Sequence, residues 1–375
     1  MQNKFSDRNY IPILAISNAE MTALEQLPDK DKDELLPLFP LRGWLNAHKL
    51  NSALDRIKLA IGTRSWIADI DEKFLSNNKV FLFTGNYPDK QVFKEIEELL
   101  CPTDSYENWF RFIESEDNAI PCLRHESLHN IEEQITKLSS LNRGLVVRIT
   151  VNDSNLEKHR KLVNALRSTK AKNILIIYDL ESLDVNFSER IPLLETFMSE
   201  AKGAIAGLTI SISASSFPAG FAGQRQGENS IYERMLFNKL LDREIYNPII
   251  YSDRGSARAL KQDGGAGVPP PRIDYPLKKD WVFSRREVDD NSPNSKEKRR
   301  AAYIDIAQEI ISNDYWVSEL RLWGTQQIEI TSESSDFGIY SALRSTAVRI
   351  NIHLFNQLHY NSDISEINTD EEWID

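Results

Sequence analysis

Short apolar runs recur along the chain, at residues 11–16, 35–41, 66–70, 120–123, 145–149, 174–178, 208–212 and 248–251. Several are continuously apolar, which is the pattern of parallel strands buried on both faces. Segments of helical period lie between them. Leu128, Ile131, Ile135 and Leu138 recur three to four residues apart and make one face. Leu162, Val163 and Leu166 do the same within 157–169, and Ile231, Met235 and Leu236 within 230–241. Eight β-then-α units in one chain predict an α/β fold of the (β/α)8 TIM-like barrel type. A doubly wound open sheet uses the same alternation and is the competing architecture. The strand count of eight favours the barrel.

Two regions depart from the repeat. Residues 80–83 read as a further strand and 88–116 as two helical stretches, so the connection after the third strand is expected to carry an insertion. After the eighth run come Gly264, Gly265, Ala266 and Gly267, then Pro269, Pro270 and Pro271, a flexible piece followed by a stiff one. The glycine segment lacks both the Lys-Ser/Thr of a P-loop and the GxGxxG spacing of a dinucleotide site, so it reads as a mobile loop. Residues 272–275 and 281–284 read as a hairpin, 292–300 as a charged linker, and 301–312 and 339–358 as helices. The expected organisation is a barrel over 1–290, a helical segment packed on it over 291–363, and a disordered acidic tail over 364–375.

Composition narrows the setting. A chain of 375 residues with 41% hydrophobic and 27% charged residues can bury a large core. Two cysteines, Cys101 and Cys122, have no CxxC spacing and suit a reduced compartment. The first residues lack the apolar centre of a secretion signal, and no apolar run is long enough to cross a bilayer. A cytoplasmic protein without membrane contact is expected. The net charge of −11 speaks against broad nucleic-acid binding and suits a basic protein partner.

With these elements laid out, a set of short segments becomes recognisable. They are Tyr10-Ile11-Pro12-Ile13, Leu36-Pro37-Leu38-Phe39, Ser215-Ser216-Phe217-Pro218, Asp253 with Gly255, Arg272-Ile273-Asp274-Tyr275, and Arg349 with His353. In this order and spacing the chain resembles the Beta protein family of satellite phages and related prophage islands. Two positions depart from the family pattern: Arg254 stands where an aromatic is expected, and Asn351-Ile352-His353 keeps one histidine of an expected pair. The resemblance implies phage–host conflict, in a small cassette where one product kills or aborts the infected cell and another restrains it. It implies no catalytic mechanism.

Three constellations could carry chemistry. His125-Glu126-Ser127-Leu128-His129 matches HExxH, in which two imidazoles four apart on one helical face hold zinc while the glutamate activates water. Asp153 and Glu157 are possible third ligands, and two surface histidines flanking an apolar stripe are the plainer explanation. Next, residues at or just past strand ends converge in a barrel. That set is Arg42, Asp69, Asp71, Arg148, Asp179, Ser213, Ser215, Ser216, Asp253 and Arg254. It could bind a divalent metal and a phosphate or act as acid and base, or it could be a salt-bridge network with aspartates as helix caps. Lastly, Arg254, Arg349, His353 and Trp373 are partner-binding candidates, Trp373 because it lies in the acidic tail. Trp44, Trp66, Trp109, Trp281, Trp316 and Trp323 sit among apolar neighbours and read as core.

The functional expectation is a defence or toxin-restraint component that acts by binding a protein partner (a toxin, a phage component or a host factor). The alternative is a metal-dependent hydrolase of a phosphorylated or nucleotide substrate at the strand ends, with zinc peptidase chemistry behind it. The sequence requires no cofactor, and a divalent metal remains open.

Overall fold

The apolar runs become parallel strands, most of them joined by helices. The computed structural model describes residues 4–5, 7–243, 246, 248–259, 268–289, 291–364, 367 and 369. Residues 264–267 and Trp373, singled out above, lie outside the described residues. The chain divides into two units, one of Met1–Ser17, Leu35–Ser215 and Tyr232–Arg254, the other of Asn18–Glu34, Ser216–Ile231 and Gly255–Asp375. This grouping places the 272–285 hairpin with the C-terminal helices.

The first unit is mixed α/β. Its strands are β1 (Tyr10–Pro12), β2 (Leu38–Leu41), β3 (Trp66–Ile70), β4 (Ala119–Pro121), β5 (Leu145–Thr150), β6 (Ile174–Ser182), β7 (Thr209–Ser215) and β9 (Ile249–Asp253). A five-stranded parallel sheet runs β1-β9-β7-β6-β5, and a three-stranded parallel sheet runs β2-β3-β4. Isolated parallel bridges join Tyr10 to Leu35, Ile13 to Leu38 and Cys122 to Val146. One buried cluster collects Ile11, Leu38, Ile67, Ile120, Cys122, Val146, Leu175, Ile177 and Ile250, so alternate residues of seven strands share one core. Helices α3 (Asn51–Ile61), α8 (Ile131–Ser140), α9 (Leu156–Ser168), α10 (Ile191–Ala204) and α11 (Tyr232–Leu241) connect the strands.

The insertion after β3 is present, but its start differs from expectation. It comprises α4 (Glu72–Ser76), α5 (Lys79–Thr84), α6 (Gln91–Leu99) and α7 (Glu107–Ser115). Residues 80–83, expected as a strand, are helical. Asn78 accepts a hydrogen bond from the Phe81 amide at the N-terminus, and Gly85 closes the C-terminus in a left-handed conformation. These caps outweigh the strand preference of a short apolar run. None of the residues of α5 is buried, and Val80, Leu82 and Phe83 are exposed, Phe83 at 92%.

The second unit contains α1 (Asn18–Glu25) and α2 (Asp29–Glu34), an antiparallel sheet of β10 (Arg272–Pro276), β11 (Asp280–Arg285) and β8 (Gln226–Ser230), and the helices α12 (Ser295–Ile311), α13 (Trp323–Ser332) and α14 (Ala342–Leu358). The expected hairpin is β10–β11. β8 adds a polar, largely exposed third strand that no apolar pattern announces. The expected linker at 292–300 is mostly the first turns of α12, because its lysines and arginines are good helix formers. From Ala347 to Gln357 every residue of α14 is buried, and two of its asparagines reach backbone carbonyls: Asn351 donates to the Ala23 carbonyl at 2.9 Å and Asn356 to the Pro276 carbonyl at 2.8 Å. Among the described residues no helix is long and apolar enough to cross a membrane.

Candidate functional site

Strand alternation decides which polar side chains at the strand ends meet. On β3, Asp69 follows Ile67 on the core face. Ile120, Cys122 and Arg124 alternate in the same way along β4 and the residues after it, as do Val146 and Arg148 on β5, and Ile177 and Asp179 on β6. Ile250, Ser252 and Arg254 do so on β9. Arg124 donates to Asp69 Oδ1 at 2.6 Å, and Arg148 Nε lies 2.9 Å from Asp69 Oδ2. Arg148 also reaches toward Asp179 Oδ2 at 3.8 Å, which Arg254 contacts at 2.5 Å. The other Asp179 oxygen accepts from the Glu181 amide at 2.9 Å. The result is an alternating row, Arg124–Asp69–Arg148–Asp179–Arg254, drawn from five separate strand ends.

The row is electrically uneven. At the β3–β4 end, Arg124 is held by three carboxylates: Asp69, Glu72 at 2.8 Å, and Glu126. Crowding three acids on one guanidinium splits the two glutamates. Burial and the neighbouring Glu126 push Glu72 up to about 7, while Glu126 is held well below the usual carboxylate range by Arg124. The two carboxyls titrate as one pair, with Glu72 the member pushed up and Glu126 the member held down. At the β6–β9 end the ratio reverses, with two guanidiniums, Arg148 and Arg254, on Asp179. Those cations hold the Asp179 carboxyl low despite its burial.

Ser213 and Ser252 belong to the same end. They are neighbours in register on β7 and β9, and Ser213 is in register with Asp179 on β6. Both serines are wholly buried, and neither hydroxyl has a hydrogen-bond partner among the described residues; the Arg254 Nε is likewise unengaged. Two residues lower on the same face of β7, Ser211 does find a partner, the Ile250 carbonyl at 3.0 Å.

Other expected members of the set go elsewhere. Asp253 sits between Ser252 and Arg254 and so points to the opposite face. It accepts from the hydroxyls of Tyr10 at 2.5 Å and Tyr251 at 3.0 Å, fully buried, with the Arg234 guanidinium 3.4 Å from the Tyr251 ring centre. Asp71 pairs with Arg42 at 3.1 Å and caps α4 through the Lys73 amide, so the pair closes a helix start. Ser215 is buried at the end of β7, and Ser216 donates to the Ser230 carbonyl within the second unit. Arg124, Glu72 and Ser252 were missed by sequence reasoning. For Arg124 and Ser252 the two-residue alternation with Cys122 and Ile250 was the available signal.

The HExxH geometry is not formed. Residues 125–129 are irregular, and α8 begins only at Ile131, after Asn130 in a left-handed conformation. His125 Nε2 lies 2.8 Å from the Arg148 carbonyl oxygen, whereas His129 is exposed, as are Asp153 and Glu157. Without a helix the two imidazoles do not share a face. Among the described residues no group of three His, Cys, Asp or Glu side chains is placed to hold a metal ion. Asp69 and Asp179, the plausible carboxylate ligands, are both occupied by guanidiniums.

In the second unit the residues that carried the resemblance gather around one aspartate. Asp274, fully buried on β10, takes Arg349 at 2.9 Å and Arg272 at 3.0 Å. The Arg349 guanidinium lies 3.9 Å from the Phe217 ring centre and donates to Ser256, and Arg272 lies 3.7 Å from the Phe221 ring centre. His353 accepts from the Trp281 indole at 3.3 Å. Arg349 and His353 are interior side chains, not surface ones, because α14 is buried along most of its length.

Parallel βα units with a charged row across the C-terminal ends of their strands define an α/β protein with one polar strand-end site. A family model described as Beta protein matches residues 10–359, and the chain belongs to that family. It is 25% identical over 369 residues to Protein beta of Enterobacteria phage P4, covering 96% of this chain and 95% of that protein.

Proposed function

We propose that this phage-associated protein acts in phage–host conflict by binding a protein partner, and that its eight parallel strands form a (β/α)8 ring that presents the binding insertion. Three parallel bridges linking the two parallel sheets support the ring. The observation that carries the partner reading is α5, whose Val80, Leu82 and Phe83 are exposed together on one short capped helix. Apolar side chains clustered this way mark interaction surfaces. The test is a phage plating assay on cells expressing the chain or its Leu82→Glu/Phe83→Ser variant. The variant should keep the wild-type circular dichroism and melting temperature yet lose at least tenfold in protection. Equal protection by both proteins would remove α5 from the mechanism.

A second reading, acid–base chemistry on a small substrate, is favoured by the Glu72–Glu126 pair beside Arg124, since one carboxyl pushed up next to one held down is how such sites divide the two roles. Loss of protection in Glu126→Gln, with α5 intact and the fold retained, would favour it.

A further inference from the structure

The strand-end row leaves buried hydrogen-bond donors without a partner, three of them at its β7–β9 end. Ser213 and Ser252 are wholly buried with unpartnered hydroxyls, in register on adjacent strands, and the Arg254 Nε is buried and unengaged. Leaving a buried polar group unsatisfied costs on the order of 1–3 kcal/mol, and this fold leaves three at the ends of two adjacent strands. An imidazole or a carboxylate would offer an acceptor, yet the row places Asp179 so that both its oxygens are already taken, by Arg254, Arg148 and the Glu181 amide. The guanidinium N–H can only donate. What would satisfy this set is therefore a group that accepts several hydrogen bonds at once.

The charge distribution specifies the group further. Three carboxylates crowd Arg124 at the β3–β4 end, whereas two guanidiniums share Asp179 at the β6–β9 end. The Arg124 Nε is also unpartnered, beside its three carboxylates, but the two hydroxyls and the Arg254 Nε lie together at the cationic end. A tetrahedral oxyanion offers several acceptor oxygens and a negative charge, and arginine forks suit it geometrically.

We propose that Ser213, Ser252 and Arg254, at the ends of two adjacent strands, bind a phosphate group, free or carried on a small molecule. Both hydroxyls and the Arg254 Nε donate to its oxygens, with Arg148 and Arg254 supplying the charge. The α5 surface plays no part, so the proposal stands or falls separately from partner binding.

The experiment is calorimetric titration of the full chain with inorganic phosphate, a nucleoside monophosphate, a sugar phosphate and acetate. A parallel set uses Ser213→Ala/Ser252→Ala. The expected result is saturable binding of at least one phosphate-bearing ligand, at least tenfold tighter than acetate, and weakened at least tenfold in the double variant. The stronger of the free and carried forms identifies the source. The ligand-free variant should melt at or above the wild-type temperature, since it loses only unsatisfied hydroxyls; a lower melting temperature would mean that water already satisfies them and would overturn the proposal. Absence of phosphate binding, binding equal to acetate, or binding undiminished in the variant would overturn it as well.

Discussion

Arg124 and Asp69 form an ion pair at 2.6 Å in which both side chains are almost completely inaccessible, 2% and 4% exposed. Removing one member of such a pair leaves the other charged and buried, typically a loss of about 3–5 kcal/mol. Arg124→Met is therefore expected to lower unfolding stability by that order, measured by urea denaturation. Asp69→Asn/Arg124→Met should recover part of it, because the almost completely buried carboxylate that faced Arg124 is then neutral as well, although Glu72, Glu126 and Arg148 still lose a partner. A double variant as unstable as the single one would show that the pair is not the source.

The Glu72–Glu126 pair makes stability depend on pH. Glu72 binds its proton more tightly in the folded chain, so its contribution is complete below the unfolded glutamate value and is lost as pH rises through about 7. Glu126 acts oppositely, with a contribution present above the unfolded value and lost as the pH falls below it. Glu72→Gln, which cannot lose its proton, should gain on the wild type as pH rises from 5 to 8. Denaturation midpoints at intervals across that range check this, and parallel curves would refute it.

Asp253 was expected in the strand-end set, but its two tyrosine donors give it a different test. Tyr10→Phe removes the shorter of the two hydrogen bonds to a buried carboxylate and should cost about 1.5–3 kcal/mol. The strand-end row should be undisturbed, because Asp253 faces away from it. Phosphate titration of Tyr10→Phe should therefore match wild type while its denaturation midpoint falls.

In the second unit, α13 and α14 approach at Gly324. A Cβ there would lie 2.6 Å from an Ile352 side-chain carbon and 3.0 Å from the Val348 carbonyl oxygen. The carbonyl belongs to a helix backbone and cannot yield, so Gly324→Ala should destabilise by about 1–3 kcal/mol. A melting temperature within a degree of wild type would contradict this packing.

Sequence reading found the strands of the first unit because parallel strands covered on both faces are continuously apolar, as at 145–149 and 174–178. It failed where the decisive interactions are local or polar. The residues of α5 are apolar, and only its caps make them helical. β8 is polar because it lies at the edge of its sheet, so no hydrophobic pattern marks it. Within the site, Asp69, Arg148, Asp179 and Arg254 were legible as residues at strand ends. Arg124 was overlooked because it precedes a motif match that drew attention to His125 and His129. Asp253 was misplaced because position along a strand does not give the face. The pairing of Glu72 with Glu126 was not legible, since it depends on an insertion folding back to β4.

The N-terminal strand must wait for the rest of its unit. Tyr10 bonds to Asp253 across 243 residues of sequence, and β1 pairs edge to edge with β9. At the ordinary translation pace of ~5–20 residues per second, a ribosome needs tens of seconds to deliver that partner. Until then β1 and β7 both carry open edges, so any nascent chain halted before residue 249 is a sticky fragment, and a chaperone or protease should meet it first.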